Sequence, residues 1–158
     1  MKLNIRLGML LLLFPVLVLA VEPLPKNLIS LESEQGIALL KRDAGVQTVK
    51  LLSHFTTQQT NTYCGVASAV MVLNASGLKP PADSMHPPYH YFNQQDFFTD
   101  AVKKIVSPDV VLAQGLTLQE LSAVIGSYGL NAQAYPANTL DLKSFRALMI
   151  KALEDGGY

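Results

Sequence analysis

Residues 64–77, CGVASAVMVLNASG, limit the fold of this chain more than any other stretch. Val66, Val70 and Leu73 recur at helical spacing. Ala67, Ala69 and Val72 make the remaining faces apolar as well. A helix that is apolar all round has no face suited to water, so it must be enclosed by other elements. Asn74 and Gly77 are stop signals. The chain is therefore expected to fold around this one helix.

The rest of the sequence reads mostly as helices that could do the enclosing. ISLESEQGIALLKRD (29–43) is a helix loosened by Gly36, and VKLLSHF (49–55) a short extended piece. TTQQTNTY (56–63) is a polar loop. LKPPADSMHPPYHYFNQQDFF (78–98), with four prolines, is a long ordered loop of the kind that often carries function. DFFTDAVKKIVS (96–107) is a short helix. In 116–130, Thr117 and Glu120 form a capping box, Leu118, Leu121, Val124 and Ile125 a stripe, and Gly129 suits the position after the last turn. NAQAY (131–135) reads as a strand. In the helix of 138–157, Leu142, Phe145, Leu148, Met149 and Ala152 face inward, and Gly156-Gly157 end it. At most two or three strands are visible, fewer than a complete α/β or α+β domain supplies. The chain is thus expected to be C-terminally truncated.

The first twenty residues point to export. Lys2 and Arg6 precede the apolar run 7–20, which is short for a membrane span, and Val18-Leu19-Ala20 suits signal peptidase. An uncleaved anchor is the other reading of this segment. Cleavage after Ala20 leaves 21–158 as one domain, with ten basic against twelve acidic residues, which offers nothing to a nucleic acid.

Exported proteins usually pair their cysteines, yet Cys64 is alone. It could be a buried inert thiol, half of an intermolecular disulfide, or a free reactive group. Its neighbours favour the last. It stands at the expected first turn of a helix, where the dipole favours an anion, after a polar loop. Gly65 lets another backbone or a substrate come close. Gln58, six residues earlier, can turn its amide NH₂ back and form an oxyanion hole with the Cys64 N–H. Gln59 is the alternative one place along, and Gln58 could also be a plain solvated loop residue. Glutamine followed by Cys-Gly at a helix start is a papain-like arrangement.

QQTNTYCGVASAVMVLNASG resembles the active-site segment of phytochelatin synthases, especially the short bacterial ones. YHYFNQQDFF (89–98) and SPDVVLAQGLTLQELSAVIGSYGLNAQAY (107–135) are similar to the family's next segments, in the same order. The resemblance runs over about 27–157. It implies an α+β, papain-like cysteine protease fold, of which 21–158 is the N-terminal, mostly helical lobe, with the strand-rich second lobe largely missing. It implies a Cys64 nucleophile, a Gln58 oxyanion donor and glutathione as substrate. Glycine would be released and a γ-glutamylcysteinyl thioester formed, then passed to a second glutathione or to water. No tightly bound cofactor is implied. Cadmium and zinc are linked to the reaction as metal–thiolate complexes of the substrate or as activators. A homodimer and a periplasmic location complete the expectation.

The triad's His and Asp are expected beyond KALEDGGY, so the chain alone is expected to be inactive or nearly so. His54, His86 and His90 read as solvated or packed side chains. Pro87-Pro88 between the latter two argues against a helical metal pair. Two other readings remain open: a non-catalytic remnant that binds a thiol or a partner, and a bacteriocin-processing type of peptidase.

Overall fold

In the computed structural model, residues 24–43 and 45–157 are described. The expected signal segment 1–20 lies outside them. The chain divides into two units, Met1–Leu39 and Leu40–Tyr158. Its helices in order are α1 (Glu34–Asp43), α2 (Val46–Leu52), α3 (Cys64–Ala75), α4 (Asp100–Lys103), α5 (Pro108–Gln114), α6 (Leu118–Ser127) and α7 (Leu142–Asp155). A 3₁₀ turn, Ala137–Thr139, precedes α7.

Helix α3 is the centre of the second unit. Val66, Ala67, Ala69, Val70, Leu73 and Ala75 are buried. Around them close Phe92 and Phe97 from the long loop, Val102 of α4, Val106, Val111 of α5 and Val124 of α6. Tyr128 meets Phe92 edge-on at 5.8 Å, and its hydroxyl donates to the Phe97 carbonyl. Burial pushes that phenol up to about 12. The enclosure of α3 is not complete. Ser68 is exposed and Val72 half-buried, so one face of the helix stays open.

Several elements depart from the sequence reading. Gly36 does not loosen a helix that begins at 29. Helix α1 begins at Glu34, capped by the Ser33 hydroxyl, which accepts from the Gly36 N–H at 3.0 Å. A Cβ on Gly36 would lie 2.1 Å from the Ser30 carbonyl oxygen, so the turn at 30–33 requires a glycine there. Residues 49–52 belong to α2 rather than to an extended piece. Thr48 and Val49 favour strands, but packing against α3 and α7 overrides that preference.

The helix expected over 96–107 shrinks to the four residues of α4, and a separate helix, α5, follows it from Pro108. Thr99 caps α4, and Pro108 keeps Ser107 out of helical geometry, so that Ser107 caps a separate α5 with Pro108 in its first turn. The strand expected at 131–135 is absent, and no strand occurs among the described residues; an isolated antiparallel bridge joins Ala82 and His90. The capping box of α6 forms as expected, and Gly129 follows it at φ 89°. The apolar stripe of α7 forms but is only partly covered, with Leu148 and Ala152 half-buried. Leu142, Phe145 and Met149 are 65%, 50% and 46% exposed, and no residue of the helix is buried among the described ones. This mostly helical layout is compatible with an N-terminal helical lobe.

The loop 78–98 owes its order to polar side chains. The Asn93 amide donates to Asp83 Oδ1 and to Asp96 Oδ2, both at 2.7 Å. Ser84 donates to Asp96 from its hydroxyl at 2.7 Å and its N–H at 3.0 Å. His86 Nδ1 lies 2.9 Å from Asp83 Oδ2. The His86 contact holds the Asp83 carboxyl below its usual range, and the Ser84 bonds do the same for Asp96. A carboxyl lowered by folding stabilises the fold above its unfolded pKa, and that stability is lost as pH falls through the folded value. The thermal midpoint is therefore expected to fall steeply below about pH 4. Asp96→Asn should flatten that acid limb, and an unchanged limb in a pH series of melting curves would count against this role.

Candidate active site

Cys64 is the first residue of α3, and its thiol is free and exposed. The residue before it, Tyr63, gives the helix no side-chain cap. The first intrahelical bond runs from the Ala67 N–H to the Tyr63 carbonyl. The N–H groups of Cys64, Gly65 and Val66 thus have no acceptor within the helix, and they lie at the positive end of its dipole. Such an end stabilises negative charge on a group placed against it. Beyond Gly65 the close neighbour is neither backbone nor substrate: a Cβ there would meet the Leu116 side chain at 3.2 Å. Gly65 therefore serves the packing of Leu116 on the helix start.

The loop before Cys64 is pinned on two sides. Thr62 Oγ1 donates to the Leu112 carbonyl at 3.0 Å, at the end of α5. Gly115, φ 79°, follows that helix, and a Cβ on it would lie 3.2 Å from the Thr62 carbonyl. On the other side stands Gln94, only 4% exposed. Its Oε1 accepts from the Gln59 N–H at 3.0 Å, and its Nε2 donates to the Thr57 carbonyl at 2.8 Å. The side chain of Gln58, between those two residues, is exposed, and its Nε2 donates to the Thr60 carbonyl at 2.7 Å. A primary amide has two N–H groups, so one remains for a ligand.

One and two turns beyond Cys64 on the same helix face lie Ser68 and Val72. They border a groove of about 600 Å³, lined further by Leu121 and Ile125 of α6 and Phe145 and Met149 of α7. The three histidines are engaged elsewhere. His54 Nδ1 lies 3.2 Å from the Tyr91 hydroxyl, His86 is on Asp83, and His90 Nδ1 lies 3.3 Å from the Pro80 carbonyl. Sequence reasoning missed Gln94 and Leu116, and read Asn74 merely as a helix stop. Nothing in the spacing of YFNQQDFF separates Gln94 from its neighbour Gln95; only burial does.

This cysteine, glutamine and helix order can be set beside known proteins. A sequence model described as phytochelatin synthase matches residues 19–157. The chain belongs to the phytochelatin synthase family. Among its relatives is glutathione gamma-glutamylcysteinyltransferase 3 of Lotus japonicus, 27% identical over 101 residues, which are 64% of this chain and 20% of the relative. Glutathione gamma-glutamylcysteinyltransferase 1 of the same plant is 28% identical over 102 residues, 65% of this chain and 19% of the relative. Glutathione gamma-glutamylcysteinyltransferase 2 of Arabidopsis thaliana is 26% identical over 102 residues, 64% and 21%. The chain therefore matches about a fifth of the length of these relatives.

Proposed function

We propose that this chain is the nucleophile-bearing part of a glutathione γ-glutamylcysteinyltransferase or glutathione hydrolase of papain-like type. The observation that carries the reading is the free, exposed thiol of Cys64 at the first residue of α3, in a chain of this family. The Cys64 sulfur attacks the carbonyl carbon of the Cys–Gly bond of glutathione. As the C–N bond breaks, the glycine nitrogen takes a proton and glycine leaves. A γ-glutamylcysteinyl thioester remains on Cys64. The amino group of a second glutathione, or water, then takes the acyl group, and the thiol is restored. The Cys64 N–H and the second N–H of Gln58 Nε2 stabilise the oxyanion of the tetrahedral intermediate. Each such donor contributes roughly 3 kcal/mol.

The general base in this reading is a histidine outside 1–158, oriented by an aspartate, because His54, His86 and His90 have other contacts. The reading extends to an exported, periplasmic protein, to a second copy of the chain as partner, and to cadmium or zinc entering as thiolate complexes of glutathione.

An activated substrate separates the nucleophile from the missing base. The p-nitrophenyl ester of γ-glutamylcysteine, its thiol methylated, has a leaving group that needs no proton. Attack forms the Cys64 S–C bond, breaks the ester C–O bond and releases p-nitrophenolate; the thiol proton goes to buffer. Saturable acylation of Cys64 is expected, read by intact mass and by phenolate absorbance. Gln58→Ala should slow it about 100-fold, the usual effect of losing one oxyanion donor. With glutathione itself, the chain alone should release little glycine. Acylation that does not saturate, proceeds at the rate of free cysteine and ignores Gln58→Ala would replace this reading with that of a non-catalytic remnant.

A further inference from the structure

We propose that Gln94 is a positioning residue for Gln58, and that Asn74 ties both to the helix that carries the nucleophile. This rests on the acyl-transfer reading above and adds to it the device that sets the oxyanion donor.

An oxyanion donor works only if its N–H is held where the charge develops. Gln58 is exposed and sits in a polar loop, which by itself would leave its backbone free to move. Gln94 removes that freedom. Its amide engages the backbone on both sides of Gln58, accepting from residue 59 and donating to residue 57. These are the bonds an adjacent strand would make, supplied here by one side chain. Gln94 is buried, so neither bond competes well with water, and losing one leaves a buried polar group unpaired.

Gln94 is itself referenced to α3. Asn74, in the last turn of that helix, accepts from the Phe92 N–H at 3.0 Å and donates to the Phe92 carbonyl at 2.8 Å. A further bond from its amide to the Val70 carbonyl, at 3.0 Å, fixes the side chain against its own helix. Phe92 is buried in the core two residues before Gln94. One helix therefore carries Cys64 at its start and, through Asn74, Phe92 and Gln94, holds the backbone around Gln58. Nucleophile and oxyanion donor share a single rigid frame.

A double-mutant cycle with the aryl ester tests this. Gln94→Met keeps the length and apolar stem of the side chain without its bonding groups; Gln94→Glu retains the acceptor for Gln59. In the unmodified chain, Gln94→Met should slow acylation about tenfold with the half-saturating ester concentration unchanged, and Gln94→Glu should recover part of the loss. In the Gln58→Ala background, Gln94→Met should cost less than about twofold, because the group it positions is gone. An equal loss in both backgrounds overturns the proposal in favour of a general structural role. Amide hydrogen exchange gives a second readout that needs no turnover. The Gln59 N–H should exchange at least tenfold faster in Gln94→Met, while α3 amides keep their protection. If the unmodified chain shows no saturable acylation, the acyl-transfer reading fails by itself. Unchanged Gln59 exchange overturns the positioning role whatever the acylation result.

Discussion

Cys64→Ser is expected to leave a folded protein that the γ-glutamylcysteine aryl ester no longer acylates. The serine oxygen is a far weaker nucleophile than a thiolate unless a base removes its proton. None of the three histidines in the chain is held in a contact with residue 64. Loss of the nucleophile costs on the order of 10⁶ in kcat in a complete triad enzyme. Here the rate should fall to that of the uncatalysed ester. Because the thiol is exposed, the exchange of sulfur for oxygen should shift stability by less than about 0.5 kcal/mol. Intact mass spectrometry and a melting curve check the two halves of this expectation. Saturable acyl transfer surviving in Cys64→Ser would remove Cys64 from the reaction.

The largest effect on stability is expected from Leu73→Ala. Leu73 is fully buried in the cluster with Val66, Val70, Phe92 and Phe97. Removing its side chain forfeits transfer free energy and leaves a cavity among side chains that relax only in part. Such changes cost about 3–5 kcal/mol. For a domain of this size, that is a fifth or more of the roughly 5–15 kcal/mol available. Leu112→Ala is the control. That side chain is 53% exposed, and its loss should cost well under about 1 kcal/mol. Urea midpoints at constant m-value report both. A loss below about 1 kcal/mol for Leu73→Ala would mean that α3 is not the centre of the core.

Locally encoded features were legible in the sequence. Helix α3 was visible because its apolar spacing is intrinsic to 64–75, and the capping box of Thr117 and Glu120 because both partners lie within one turn. Ser107 and Pro108 mark α5 in the same local way, as a cap followed by a proline in the first turn. Helix α2 was hidden, since its β-branched residues favour strands and only packing on α3 and α7 decides otherwise. Gly36 was misread because the carbonyl that forbids a side chain there belongs to Ser30, brought back by a turn.

The candidate site divides along the same line. Cys64, its helix and the glutamine six residues before it are a local pattern, and the sequence by itself determined them. The stripe of α7 was equally plain, but whether anything covers it is a matter of what packs there, and Leu142, Phe145 and Met149 of it lie exposed. Which of several polar loop residues would hold Gln58 was decided by the tertiary structure alone. Gln94 acts on backbone groups 35 and 37 residues away, and Asn74 on a residue 18 away. Such bonds gain their strength from burial, and burial is a property of the packed chain that no spacing along the sequence records.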